Sequence, residues 1–158
     1  MIARHLRAIC NYVKQTSRYH RSVFSVENQR GRLIETRVQS LTNVAEVDAF
    51  GARFRQVLIA LPPRPVVICG DFRSVRVFAP DVAERFSATL VAANPRVERS
   101  AILLDAGQAM AGLQLERTVK QAGNNARRTF RATPELIAWL SEVLDADEKK
   151  RLHEFLHA

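Results

Sequence analysis

An uninterrupted apolar run near the middle of the chain limits the folds that it can adopt. The segment Pro65–Gly70 is apolar at consecutive positions and lacks the polar alternation of a strand that faces water on one side. Such a strand is buried on both faces, as in a parallel sheet. The chain then passes through a polar loop into a helix start at Pro80 and Asp81. The sequence therefore predicts an α/β fold, with ligand or switch residues expected in this loop.

The rest of the chain alternates between strand and helix patterns. Two short β-prone runs, Val23–Val26 and Arg32–Gln39, predict an opening hairpin across a polar turn. Further strands are predicted over Pro65–Gly70, Val97–Leu104 and Arg127–Arg131. Helices are predicted between the Asn43 cap and Pro62, over Pro80–Asn94, over Ala106–Ala122, and from a Thr133 cap to the end with a break at 145–147. These elements form the order ββαβαβαβα, a mixed sheet of about five strands with helices packed on it.

The length of the chain and its apolar content fit one domain. A chain of 158 residues with 47% hydrophobic side chains can bury a core without the help of a cofactor. No apolar run approaches the roughly 20 residues that span a bilayer. Its cysteines, Cys10 and Cys69, lie far apart and have no metal-ligand spacing, which favours a reduced cytoplasmic protein.

A basic segment, residues 1–21, precedes the predicted domain at 22–158. The net charge of the chain is +8, and this segment contributes basic side chains without acidic ones. Leu6, Ile9, Cys10 and Val13 would share one face of a helix. Two interpretations stay open: a basic amphipathic helix that contacts a membrane or nucleic acid, or a disordered extension.

The element order, the buried Val66–Cys69 strand and the helix that opens just after Val77 and Phe78 resemble the STAS domain. This is the fold of bacterial anti-sigma-factor antagonists of the SpoIIAA type, and the similarity covers residues 22 to about 157. In the partner-switching members, a serine at the start of this helix is phosphorylated. The resemblance implies a protein-interaction or regulatory module.

The phosphorylated serine of those members has no counterpart in this chain. The corresponding stretch reads Phe78-Ala79-Pro80-Asp81, and Ser74 lies too early in the loop. Asp81 supplies either a constant negative charge that makes the module constitutive or the ordinary acid of a first helical turn. The loop is therefore predicted to present a charged surface that is not switched by serine phosphorylation, made of Asp71, Arg73, Ser74, Arg76 and Asp81.

No complete catalytic or metal-binding arrangement can be recognised. Cys69 and Arg76 are separated by six residues, whereas the phosphatase loop requires five, and Asp71 would repel a phosphate. Asp71 is expected to form a structural ion pair with Arg73 or with the later arginines. His153 and His157 share a helix face but have no third ligand nearby. The sequence predicts a protein that is not an enzyme and holds no metal or cofactor.

Two surfaces remain as binding candidates. Arginine-rich residues after the third predicted strand suit an anionic small molecule, a lipid headgroup or nucleic acid; these are Arg96, Arg99, Lys120, Arg127 and Arg128. Along the Ala106–Ala122 helix, an apolar pair beside an arginine has the composition of a protein-binding spot; its residues are Met110, Leu113, Gln114 and Arg117.

A STAS-like module that binds another protein is the leading interpretation, and a binder of an anionic ligand is the alternative. The face with Met110 and Leu113 could instead pack on the C-terminal helix, and Trp139 is either a packing residue or a partner anchor. A homodimer is also open.

Overall fold

A five-stranded mixed sheet with helices on both faces forms the centre of residues 22–158, the part of the chain that the computed structural model describes. The strands are β1 (Phe24–Arg30), β2 (Leu33–Val38), β3 (Val66–Asp71), β4 (Val97–Leu103) and β5 (Arg127–Phe130). The helices are α1 (Val44–Ala60), α2 (Pro80–Ala93), α3 (Ala109–Gln121), α4 (Thr133–Ser141) and α5 (Ala146–Leu156), and a 3-10 turn covers Asn94–Arg96. Both interpretations of the basic segment at 1–21, and Cys10 with it, lie outside the described residues.

The strands lie in the sheet in the order in which they occur in the chain. β1 pairs antiparallel with β2, and all later neighbours are parallel. Since connections between neighbouring parallel strands are right-handed, α1, α2 and α3 all cover the same face of the sheet. α4 and α5 follow the last strand and cover the opposite face.

β3 lies between two hydrophobic clusters, as its apolar sequence predicts. Every residue of β3 is buried. Ile68 packs in the cluster under α1–α3, and Cys69 packs in the cluster under α4 and α5. Phe86 of α2 occupies the middle of the first cluster, with the Phe72 ring 5.6 Å and the Phe78 ring 5.8 Å away.

Most element boundaries agree with the sequence to within a few residues. The polar turn predicted at 27–31 is wrong, because β1 continues to Arg30 and the turn lies at Gly31 and Arg32. Further differences lie at the helix caps. Asn43 caps α1 as predicted, with its side chain accepting from the Glu46 amide at 2.9 Å. Thr133 is the first residue of α4, and the cap is Ala132. The chain does break near 145, but Asp145 also forms a capping box with Glu148 that starts α5.

Ion pairs, together with apolar contacts, attach α5 to the sheet. Arg151 of α5 donates two hydrogen bonds to the Glu35 carboxylate of β2, at 2.6 and 2.7 Å. The Glu148 carboxylate accepts from the backbone amide of Arg32 at 2.8 Å. Glu35 and Glu148 are both buried, so this layer depends on buried charges that are paired.

Candidate functional site

The loop after β3 begins with a buried carboxylate. Asp71 is only 7% exposed, and its side chain accepts hydrogen bonds from two arginines. Arg73 donates to both carboxylate oxygens at 2.9 Å, and Arg37 of β2 donates at 3.2 Å. The ion pair expected between Asp71 and Arg73 is therefore present. The prediction that Asp71 belongs to an exposed charged surface is wrong, because its oxygens are directed inward to these partners.

The two arginines also contact the end of α5. Arg37 donates to the Phe155 carbonyl at 2.8 Å, and Arg73 donates to the Leu156 carbonyl at 3.4 Å. Burial alone would raise the pKa of Asp71, but the hydrogen bonds and charge of Arg73, with the charge of Arg37, outweigh it and lower the pKa. Asp71 therefore serves as an ionised structural link at neutral pH.

The remaining loop residues named from the sequence are exposed and do not converge. Arg73, Ser74 and Arg76 are on the surface, as is Asp81 in the first turn of α2. The Asp81 carboxylate accepts from the Val82 amide at 2.9 Å, which is ordinary first-turn chemistry. No side chain caps this helix.

Gln114 fixes the end of this loop to α3. Its side-chain amide donates to the Phe78 carbonyl at 2.8 Å and accepts from the Phe78 amide at 2.7 Å. These paired hydrogen bonds satisfy both backbone groups of a buried residue. Gln114, predicted as part of a protein-binding spot, therefore has a structural role in the free protein.

The surroundings of Cys69 make its thiol unreactive. It is fully buried in the cluster under α4 and α5. Burial, with further effects from the carboxylates of Asp71 and Glu35, raises the pKa of this thiol well above its ordinary value. Because the thiolate is the nucleophile, this position offers no nucleophilic catalysis.

This burial gives a direct prediction. In a Cys10→Ser variant, the reaction of Cys69 with a chromogenic disulfide reagent should be on the order of a thousandfold slower in the folded protein than in urea. The rate of release of the chromophore measures this. A folded-state rate within tenfold of the urea rate would contradict the buried position.

The residues of the arginine-rich candidate surface do not form one surface in the structure, because some are exposed and others are buried or bound to neighbouring groups. Arg127 is 7% exposed and donates to the Leu90 carbonyl, the Asn94 side chain and the Ser100 hydroxyl, at 2.9 to 3.0 Å. The prediction of Arg127 as a surface residue is therefore wrong. Burial lowers the pKa of Arg127 to about 10, so it is still protonated at neutral pH.

Two further arginines of that set are already engaged. Arg96 donates to the carbonyls of Pro62 and Arg64, at 3.0 and 3.2 Å. Arg99 forms an ion pair with Glu142 at 2.7 Å and lies over the Trp139 ring. Within residues 22–158, Lys120 and Arg128 are the two members of the set whose side chains form neither an ion pair nor a hydrogen bond, and the Arg128 guanidinium lies over the Trp139 ring.

Members of both sequence-predicted binding surfaces line one groove. This α3–β5 groove lies between helix α3 and strand β5 and has a volume of about 640 Å³. It is lined by Leu113, Glu116, Arg117, Val119, Lys120, Arg127, Arg128 and Thr129. Leu113 is 58% exposed, and Arg117, Lys120 and Arg128 are all exposed. The fold thus places exposed cations beside an exposed apolar side chain.

The exposure of α3 answers an alternative left open by the sequence. Met110 is 71% exposed on the same helix as Leu113. The C-terminal helices cover the other face of the sheet, where α4 and α5 pack. The face with Met110 and Leu113 therefore does not pack on the C-terminal helix, and it is available to a partner.

Trp139 is a half-buried packing residue that two arginines cover. Its ring lies 5.5 Å from the Phe130 ring, and the guanidinium groups of Arg99 and Arg128 lie 4.8 and 4.9 Å from it. Cation–π contacts of this kind favour Arg beside Trp. Sequence reasoning missed this cluster because its residues come from three separate elements.

A small cavity of about 30 Å³ lies between the sheet and the helices on its α1–α3 face; its lining is mostly apolar, includes four phenylalanines and is bordered by Arg127. A volume of this size accommodates about one water molecule.

Among the described residues, no cluster of three or more His, Cys, Asp or Glu side chains is arranged to hold a metal ion. Within that same part of the chain, no helix has both the length and the apolar character to cross a membrane.

Comparison with solved structures supports the architecture. The structure is similar to the crystal structure of an uncharacterized protein from the DUF3478 family with a SpoIIAA-like fold, from Shewanella loihica PV-4. The TM-score is 0.54 at 12% sequence identity, and the alignment covers 74% of this chain and 93% of that one. The chain has a SpoIIAA-like fold. No protein-family model and no curated protein matches the sequence.

The SpoIIAA-like fold confirms the fold expected from the element order and the buried β3 strand. At 12% sequence identity, the similarity to the solved structure establishes the backbone fold and carries no information on function. The functional argument therefore depends on the side chains of this chain, above all those of the α3–β5 groove.

Proposed function

We propose that this chain is a non-enzymatic module that binds another protein in the α3–β5 groove. The observation that supports this most is the combination of exposed Leu113 with two exposed cations, Arg117 and Lys120, that have no ion pair within residues 22–158. Unpaired cations around an apolar side chain suit a protein partner with an acidic rim and an apolar anchor. The buried free thiol of Cys69 is consistent with a reducing cytoplasm.

The site chemistry favours binding over catalysis. Cys69 is buried and protonated, and Asp71 is held by two arginines. Neither group can take or donate a proton at an accessible position. A surface for association is the simpler use of this fold.

A free anion or nucleic acid is the weaker candidate. Of the five residues in the arginine-rich set, Arg127 is buried, and Arg96 and Arg99 are hydrogen-bonded or ion-paired. Trp139 is covered by guanidinium groups, so it offers no ready stacking platform for a base. We therefore place the anionic ligand second.

We also propose that the module is constitutive. The start of α2 carries Pro80 and Asp81 where the partner-switching STAS proteins have a phosphorylated serine. Asp81 provides a permanent negative charge at that helix end. Phosphorylation is then not needed to set the charge of this position.

The test compares two variants with equal changes in charge. The groove variant combines Leu113→Asp, Arg117→Glu and Lys120→Glu. The control variant combines Ile59→Asp, Arg55→Glu and Lys149→Glu, on exposed residues remote from the groove. We expect a partner protein to bind wild type and the control, and to bind the groove variant at least about tenfold more weakly.

Proteins, lipids and nucleic acids retained from an extract of the source organism are identified together by mass spectrometry, and circular dichroism verifies folding. Retention of every protein by the groove variant as well as by the wild type would contradict the proposal. Retention of a lipid or nucleic acid that salt releases, without a protein, would support the alternative instead.

A further inference from the structure

β5 is an edge strand with its backbone open on one side. Among residues 22–158 the strand order ends at β5, which pairs with β4 and with no other strand. The carbonyls of Ala126 and Phe130 accept from the amides of Ser100 and Leu104 of the β4 side, at 2.9 and 2.8 Å. Because bonding alternates along a parallel strand, the amide and carbonyl of Thr129 point away from β4. These groups are directed to the open edge, where the next strand of a sheet would lie.

The two edges of the sheet differ in their readiness to pair. The β1 edge carries a register irregularity between Glu27 and Arg30, and bulges of this kind protect an edge from pairing. β5 keeps a regular register with β4 over all of its residues. Of the two edges, β5 therefore has the geometry that accepts a further strand.

The α3–β5 groove lies along this open edge. Its volume of about 640 Å³ gives room beside Thr129 for several extended residues. Leu113 of α3 is 58% exposed and supplies an apolar contact on one side. A peptide that pairs with Thr129 would place alternate side chains against α3.

The charges beside the edge select the peptide. Arg117 and Lys120 of α3 line the groove and have no ion pair within residues 22–158. The one acid in the lining, Glu116, pairs with Arg131 at 2.6 Å. The groove is thus positively charged along the path of the missing strand, which favours acidic residues and opposes a second copy of the cationic β5 itself.

From these observations we infer that β5 accepts an extended, acidic segment of a partner protein as a sixth strand of the sheet, alongside Thr129 and beneath Arg117 and Lys120. This rests on the proposed function, since it uses the same groove, and it adds the mode of recognition. Main-chain hydrogen bonds give such a complex its affinity, and the flanking side chains give its specificity.

The probe is a capped six-residue peptide of alternating glutamate and valine, added to the full chain labelled for nuclear magnetic resonance. We expect hydrogen exchange of the Thr129 amide to slow at least about tenfold at saturation. The same peptide with an N-methyl group on every residue has no backbone N–H to donate to the Thr129 carbonyl. It should bind roughly fivefold to tenfold more weakly, and a lysine–valine peptide should not bind.

Two variants test the edge itself. Thr129→Pro removes the outward amide and keeps every charge, and proline is tolerated where the amide of an edge strand faces solvent. We expect this variant to lose at least about fivefold in affinity, and we expect the Thr129→Val control to keep its affinity. If Thr129→Pro does not fold, the methylated peptide and the hydrogen-exchange measurement still test whether the peptide adds to the sheet as a strand.

Equal affinity for the methylated and unmethylated peptides would overturn strand addition. Failure of the acidic peptide to bind at low salt would overturn it as well. In either case, a partner that is lost with the groove variant would still support the proposed function. Protection of the Thr129 amide in a concentration-dependent dimer without peptide would identify a second copy as the occupant and refute the inference.

Discussion

Arg151→Met is expected to lower the free energy of unfolding by about 3 kcal/mol, because it leaves a buried carboxylate without its cation. Glu35 is 3% exposed, and Arg151 forms two short hydrogen bonds to it. The methionine keeps much of the aliphatic contact of the arginine, so the loss reflects the charge. Urea denaturation at pH 7 measures the change.

Two comparisons isolate this effect. Lys150→Met changes an exposed neighbour and should stay within about 0.5 kcal/mol of wild type. The double variant Glu35→Leu with Arg151→Met removes both charges and should recover much of the stability. Equal stability of Arg151→Met and Lys150→Met would show that the ion pair between Glu35 and Arg151 contributes nothing to the free energy of unfolding.

Asp71→Asn is expected to destabilise the fold by about 2 kcal/mol at pH 7, a value reduced because Arg73 is partly exposed to solvent. The substitution removes the ion pairs with Arg37 and Arg73 and weakens the attachment of α5. Since the folded-state pKa of Asp71 is lowered, its contribution is present above the unfolded-state pKa near 3.9 and is lost as the pH falls through the folded-state value.

Denaturation of both proteins from pH 7 to pH 2 measures this dependence. The difference between wild type and Asp71→Asn should be constant at neutral pH and should shrink below about pH 4. Asp48→Asn, which breaks the exposed pair with Arg85, is the control and should cost less than about 1 kcal/mol. A difference that stayed constant down to pH 2 would contradict the ionised buried link.

The fold could be predicted from the sequence because its signals are local. Consecutive apolar residues marked β3, and proline and asparagine marked the starts and ends of helices. The pair between Asp71 and Arg73 is also local and was predicted. The second partner, Arg37, follows from the parallel register of β2 with β3, which places it opposite Asp71.

The errors of sequence reasoning arise from contacts distant in the chain. Arg127 follows a Gly-Asn-Asn turn, which is typical of a surface, but it is buried by acceptors from the end of α2 and from β4. The pair of Glu35 and Arg151 joins residues 116 positions apart. No periodicity or motif in a single sequence signals such pairings.

The hydrogen bonds between Gln114 and Phe78 have a mechanical consequence. They tie the helix that borders the groove to the residue that precedes α2. α3 cannot tilt or slide away from β5 without breaking both bonds or pulling Phe78 out of its contact with Phe86. These bonds therefore couple the middle of α3 to the segment that leads into α2, so a force that displaces α3 also acts on the residues before Pro80.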